Sequence, residues 1–249
     1  MHTIIILPTY NEATNIALLM PELLKLPVHV CVVDDNSPDH TGDLADEWAA
    51  RDARVHVIHR AGKQGLGSAY VAGFRYALAE EFDAVLTMDA DFSHHPRYIP
   101  AMLAALEQAD LVIGSRYVPG GDVHYPWHRR MLSRLSNAAA RVALGLSAHD
   151  CTAGFRLYRI GTLARIPLDQ IFSNGYSFLV EMLTLAQADH ARVAEVPIVF
   201  EDRRYGETKI SGREIFKGMY TVGRLMLRRL KSRYLRIDSI EPISKPARS

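Results

Sequence analysis

"TIIILPTYNE" (residues 3–12) is an apolar, β-branched run that breaks into Pro, Tyr, Asn and Glu. Such near-continuous apolarity is how a strand buried on both faces looks. The pattern returns in "HVCVVD" (29–34), "RVHVI" (54–58), "DAVLTM" (83–88) and "DLVIG" (110–114). Between these runs lie about 12–20 residues with helical spacing, as in Ile16, Leu19, Met20, Leu23 and Leu24. The order βαβαβαβαβ predicts an α/β fold with a mainly parallel sheet flanked by helices.

In such sheets ligands bind beyond the carboxyl ends of the strands. Three ends are polar here: Pro8-Thr9-Tyr10-Asn11-Glu12, Asp34-Asp35-Asn36-Ser37 and Asp89-Ala90-Asp91. Asp34 and Asp35 are good turn material, or else one of them faces the cleft and accepts hydrogen bonds from a base or ribose. Asp89 and Asp91 are two residues apart, so on extended backbone both point one way, toward a solvated loop or a shared Mg²⁺ or Mn²⁺. The position at a strand end favours the cation.

After residue 115 the alternation breaks. "RYVPGGDVHYPWHRR" (116–130) reads as a long exposed loop, followed by a helix at roughly 130–145. "GFRLYR" (154–159) and "VAEVPIVFE" (193–201) read as strands, and 177–187 as a helix. A last helical pattern runs from Gly212, with Ile215, Met219, Val222, Met226 and Leu230 on one face. Between 212 and 236 it carries eight Lys and Arg against one acid, Glu214. The expected organisation is one α/β domain (1–211), a basic amphipathic helix (212–236) and a flexible tail (237–249).

The formal net charge of +1 gives no field that would select nucleic acid. Cys31 and Cys151 lack partners at metal-ligand spacing, which argues against a disulfide framework and for a reducing compartment. The N-terminal run lacks a signal peptide's layout, and no stretch approaches about 18 apolar residues. A protein acting at the surface of a membrane, or away from one, is the expectation. His94 and His95 suggest zinc but have no third ligand at suitable spacing, and Pro96 makes Ser93 or His95 a helix cap instead. "GKQGLG" (62–67) follows the third strand rather than the first, so it reads as a phosphate-approaching loop with Lys63, not a dinucleotide fingerprint. Arg116, Arg129, Arg130, Arg203, Arg204 and Lys209 fall beyond strand ends. Singly they are surface charges; as a set they suit phosphates.

"LPTYNE", "VVDDNSPDHT", "KQGLGSAYVAGF", "MDADFSHHP", "IGSRYVPGG", "TAGFRLYR", "VEM" and "EVPIVFEDRRYGETK" occur in that order over residues 4–210. Together they resemble the family 2 glycosyltransferases of GT-A fold, and among them the dolichyl- or polyprenyl-phosphate mannosyltransferases. The resemblance implies inverting transfer of mannose from GDP-mannose to a polyprenyl phosphate. It implies that Pro8, Tyr10, Glu12, Val33 and Asp35 hold the nucleoside, with Ala90 lining the donor site. Asp89 and Asp91 would coordinate Mg²⁺ or Mn²⁺. Arg116, Arg203 and Lys209 would meet donor phosphates or the reacting centre, and Arg116, Arg129 and Ser133 the lipid phosphate. Ser93 stands where some relatives carry Gln, and it is not expected to be a ligand.

Some relatives append transmembrane helices that this chain does not show. The expectation is peripheral contact at the cytoplasmic face of a membrane, through the basic helix and "YPWHRR" (125–130), with or without an anchoring partner protein. Three alternatives stay open: a same-fold transferase using UDP-glucose or another acceptor, an Asp-x-Asp phosphohydrolase, and an inactive nucleotide-binding partner. The phosphohydrolase would place its motif after the first strand, not the fourth.

Overall fold

The computed structural model describes residues 1–201 and 218–228. Along β1 (Thr3–Thr9), Ile4 and Ile6 enter one hydrophobic cluster and Ile5 and Leu7 the other, all four without exposed surface. A strand with no polar face must lie between two layers, and helices supply them. α1 (Ala13–Leu23), β2 (His29–Asp34), α2 (Thr41–Arg51), β3 (Val55–His59), α3 (Leu66–Ala79) and β4 (Ala84–Thr87) follow in alternation. After α4 (Ile99–Leu106) and β5 (Leu111–Ser115) come the short β6 (Asp122–Val123) and α5 (Trp127–Leu144). Then follow β7 (Arg156–Arg159), α6 (Ile160–Ala164), α7 (Tyr176–Ala188), β8 (Val193–Pro197) and β9 (Val199–Phe200).

Among the described residues, seven strands form one sheet in the order β3-β2-β1-β4-β7-β5-β8. Neighbours are parallel except β7, which runs antiparallel between β4 and β5. The strand order reverses at β1, with β2 on one side and β4 on the other, so the crevice opens beyond the ends of those strands.

Three expectations are corrected. The segment 116–130 is not one loop: β6 forms within it, and α5 starts at Trp127, just after Pro126. α5 ends where Gly145 takes φ 60°, the left-handed conformation that glycine adopts without penalty. "VAEVPIVFE" is two strands rather than one. Pro197 has no N–H to donate, and at Ile198 the chain crosses from the large sheet, donating to the Ser115 carbonyl, to the small β6–β9 pair, accepting from Asp122 N–H.

The third correction concerns the C-terminal helix, of which 218–228 is described. The stripe predicted to share one face does not pack as a unit: Met219 and Met226 are exposed, while Thr221 and Leu225 are buried and Val222 is partly so. The docked face joins Leu225 and Val222, packed on the core, with two arginines. Arg224 and Arg228 lie over the Phe172 ring at 4.0 and 4.9 Å, and Arg228 approaches the buried Glu181 carboxylate at 3.9 Å. Cation–π contact and charge pairing add to the apolar contacts here. Residues 212–217 and 229–236 of the predicted helix, and the tail 237–249, lie outside the described residues. No helix among the described residues is long and apolar enough to cross a membrane.

Away from the crevice, His2, His29 and His56 form a chain. His2 Nδ1 meets the Glu81 carbonyl at 2.7 Å, His2 Nε2 meets His29 Nε2 at 2.9 Å, and His29 Nδ1 meets His56 Nε2 at 3.0 Å. Tyr76 OH closes it on His56 Nδ1 at 3.0 Å. A carbonyl only accepts, so each neutral ring must donate toward Glu81 and Tyr76 must donate to His56.

Candidate active site

The turn after β1 is stitched to the loop after β2. Asn11 N–H donates to Ser37 Oγ at 3.1 Å, Glu12 N–H to Thr41 Oγ1 at 2.9 Å, and Ala13 N–H to Asp39 Oδ2 at 3.0 Å. The two adjacent aspartates divide their roles. Asp34 is a turn acid: Thr9 Oγ1, Ser37 N–H and Ser37 Oγ all donate to it, at 3.0, 3.0 and 2.5 Å. Asp35 is also buried and pairs with Arg60 at 2.6 Å. Burial raises the Asp35 carboxyl above its usual range, with Arg60 opposing. Neither acid is solvated.

Around these groups, Lys63 Nζ sits 4.3 Å over the Tyr10 ring, and Glu12 Oε2 accepts from Asn15 Nδ2 at 2.5 Å. Pro8 is partly exposed at the sheet edge. Val33 pairs with Pro8 in the β1–β2 register but has no exposed surface, so it underlies this rim within the core rather than facing solvent.

Beyond β4 the geometry departs from simple extension. The strand ends at Thr87 and the chain bends from Ala90, with Phe92 at φ 65°. A bulky residue in that conformation is costly and is held by its surroundings. Asp89 and Asp91 nonetheless line one pocket, together with Ser93, His94, Arg116 and Arg129. Asp91 is buried, and its Oδ1 accepts from Ser93 N–H at 3.0 Å and Ser93 Oγ at 2.5 Å. Asp89 is partly exposed, and Tyr70 OH donates to its Oδ1 at 3.3 Å. Burial and the Asp89 charge push the Tyr70 hydroxyl well above its usual pKa. Ala90 is buried between the two acids.

His94 holds this bend. Its Nδ1 accepts from Asp89 N–H at 3.0 Å, and its ring stacks on Phe155 at 5.1 Å. Burial lowers its pKa against the pull of Asp89 and Asp91. An Nδ1 that accepts from a backbone N–H carries no proton, so the 3.7 Å approach to the Asp89 carboxylate is no ion pair. His95 caps the following turn, accepting from Arg97 N–H at 3.1 Å.

In the same pocket, Arg116 is buried and committed. Nε and Nη2 fork onto Asp150 at 2.7 Å each, Arg116 N–H donates to the same carboxylate at 3.1 Å, and Nη2 also donates to Thr152 Oγ1 at 3.0 Å. Burial opposes the charge on both partners, yet each other's charge wins, raising the Arg116 pKa and lowering that of Asp150. Asn137 of α5 bolts the same loop, its Oδ1 accepting from Cys151 N–H at 2.7 Å. Ser133 Oγ bonds Tyr117 OH at 2.6 Å. Arg129 lies 3.9 Å over the Tyr125 ring, and its buried Nε has no hydrogen-bond partner. A buried guanidinium donor beside a pocket fits an anion. Arg130 instead ties α5 to β6 through Asp122 at 2.8 Å. Arg203, Arg204 and Lys209 lie outside the described residues.

Among the described residues no cluster of three or more His, Cys, Asp or Glu is arranged for a metal ion. A pair of carboxylates suits Mg²⁺-type binding, in which one or two protein acids hold the ion and substrate phosphates complete its shell. The donor set therefore fits a hard divalent cation arriving with a diphosphate.

The model of "Glycosyl transferase family 2" matches residues 4–166. The chain belongs to glycosyl transferase family 2. This glycosyltransferase is 47% identical over 227 residues to an undecaprenyl-phosphate mannosyltransferase of Micrococcus luteus, covering 90% of this chain and 93% of that one. It is 46% identical to a polyprenol monophosphomannose synthase of Mycolicibacterium smegmatis, covering 88% and 85%. Its GT-A-like fold is shared with glucosyl-3-phosphoglycerate synthase of Mycobacterium tuberculosis, solved with Mn²⁺ and UDP (TM-score 0.64, 20% identity, 90% and 80% covered). A Pyrobaculum calidifontis mannosyltransferase solved with GDP-Man and Mn²⁺ shares it too (TM-score 0.56, 16% identity, 86% and 59% covered). In this family 2 enzyme, Arg60, Tyr70 and Asp150, which pair with Asp35, Asp89 and Arg116, received no role from the sequence, and His94, read there as a rejected zinc ligand, instead lines the pocket. Arg60 directly follows β3, so the rule of strand ends reaches it; Tyr70 and Asp150 carry no comparable local signal.

Proposed function

We propose that this glycosyltransferase moves mannose from GDP-mannose to a polyprenyl phosphate with inversion, releasing GDP and polyprenyl-phosphate mannose. The observation that carries the reading is one pocket lined both by the acids Asp89 and Asp91 and by the cations Arg116 and Arg129. The near-full-length relatives named for polyprenyl-phosphate mannose synthesis support it.

A phosphate monoester is an anionic nucleophile at neutral pH, so no strong general base is required. Its oxygen attacks the anomeric carbon from the face opposite the diphosphate, and the carbon–oxygen bond to GDP breaks. Asp89 and Asp91 would hold Mg²⁺ or Mn²⁺, which when bound neutralises charge gathering on the departing diphosphate. Tyr10, Glu12 and Asp35 surround the nucleoside, with Pro8 at the rim. Arg129 and Ser133 orient the acceptor phosphate, and the Arg116 fork, fixed by Asp150, presents its remaining N–H donors in a set direction. Arg203 and Lys209 join the donor phosphates on the strength of their motif.

A lipid-borne acceptor calls for contact with a membrane, and the enzyme is placed here as a peripheral protein at the cytoplasmic face. α5 supports it: Trp127, Met131, Leu135 and Val142 are exposed at spacings of four, four and seven, one helical stripe, with Arg130, Arg134 and Arg141 beside it and no acid in the helix. The test is incubation with GDP-mannose or UDP-glucose, polyprenyl phosphate and Mg²⁺ or Mn²⁺, then solvent extraction and anomer determination by NMR. A β-mannosyl lipid formed from GDP-mannose is expected. A glucosyl lipid, or retention at the anomeric carbon, would overturn the reading.

A further inference from the structure

The loop 60–68 touches two groups on the nucleoside side, Tyr10 and Asp35. Lys63 lies on Tyr10, Arg60 pairs with Asp35, the Gln64 backbone N–H also bonds Asp35, and Leu66 lines the pocket. This loop runs into α3, whose N-cap is Gly65, a residue with no side chain to cap with. The missing cap comes from across the fold. Asn174 Oδ1 accepts from Gly67 N–H at 3.0 Å and from Gly175 N–H at 2.8 Å, while its Nδ2 donates to the Gln64 carbonyl at 3.3 Å. Gly65 stands at φ +98°, and a Cβ there would fall 2.1 Å from Asn174 Nδ2, so the amide occupies the space a side chain would take.

Asn174 is itself held. The buried Glu181 accepts from Phe172 N–H at 3.3 Å, Ser173 N–H at 3.0 Å and Ser173 Oγ. Phe172 lies under Arg224 and Arg228 of the helical segment 218–228, and Arg228 approaches Glu181. A continuous line of contacts runs from that helix through 172–174 to the loop at the pocket.

We propose that Asn174 is a positioning residue, capping α3 and fixing the nucleoside-side loop, and that the helix 218–228 sets its place through Phe172 and Glu181. The effect on donor affinity rests on the transferase reading above; the effect on the loop does not. The test is amide hydrogen exchange at Gly67 alongside KM and kcat for GDP-mannose in the full chain. Asn174→Ala should speed Gly67 exchange and raise donor KM about tenfold with kcat nearly unchanged, because a misplaced binding group weakens binding first. Asn174→Asp keeps the accepting oxygen and should restore most Gly67 protection. Gly65→Ala displaces the amide without altering it and should reproduce the alanine phenotype, which covers an Asn174→Ala chain that fails to fold. Arg224→Ala with Arg228→Ala should speed the same amide. Unchanged Gly67 exchange in Asn174→Ala and Gly65→Ala would overturn the cap, and unchanged exchange in the double arginine variant would overturn the link to the helix. No transfer by the unsubstituted chain, with exchange responding as described, would count against the transferase reading alone.

Discussion

At the scale of single residues, Asp91 and Asp150 separate chemistry from support. Asp91→Asn keeps an oxygen for Ser93 but removes the charge, so turnover should fall about a hundredfold or more while the unfolding temperature hardly moves. Near-normal turnover with undiminished metal dependence would reject Asp91 as a ligand. Asp150→Asn strips the counter-charge from a buried guanidinium, a change worth about 3 kcal/mol or more. Differential scanning calorimetry should record a drop on the order of 10 °C for a chain of this size, and a drop under about 2 °C would show that Arg116 finds another partner. The acids at the ends of β2 and β4 are legible in the sequence because strand ends meet at one edge. Asp150 is not, because it lies in the loop before β7 and acquires meaning only when the fold brings it under Arg116, 34 positions away in sequence.

At the scale of elements, the histidine chain links the region before β1 to β2 and β3. Burial lowers the pKa of His29 first of all, with His2, His56 and Arg54 adding to it and Asp52 opposing; burial also lowers that of His56, against Glu80. A base whose folded pKa lies below its unfolded value of about 6.5 leaves the unfolded chain binding more protons, so stability is present above that pH and lost as pH falls through it. The urea midpoint should therefore decline between pH 7.5 and 5.5, a range above the ordinary carboxylate pKa. His29→Gln should flatten that decline, and an equally steep slope in the variant would place its origin elsewhere. The parallel strands are legible from unbroken apolarity. β7 is harder to read, since "RLYR" carries two arginines and its Arg156 is nonetheless wholly buried, donating to the carbonyls of Ala153, Leu179 and Cys151. Backbone acceptors that solvate a guanidinium leave no trace in hydropathy.

At the scale of the whole molecule, the residues proposed for the acceptor phosphate and the exposed stripe meet on α5, since Arg129 and Ser133 share that helix with Trp127 and Met131. If this side rests on lipid, sedimentation with phosphatidylglycerol vesicles should weaken with salt and fall several-fold in a Trp127→Ser, Leu135→Ser variant, while circular dichroism stays unchanged. Undiminished sedimentation would remove α5 from the contact. The sheet order has a different consequence, one for the chain as it is made. β4 is complete by residue 87, but its partner on that side, β7, spans 156–159. Until those later residues leave the ribosome, the emerging sheet ends in an unpaired edge, and β5 has no strand through which to join it. Closing so long an intervening stretch is slow. Pulse-labelled refolding should protect the amides of β1 to β3 before those of β5 and β8. A chain halted at residue 155 should recruit chaperones that the finished protein does not need.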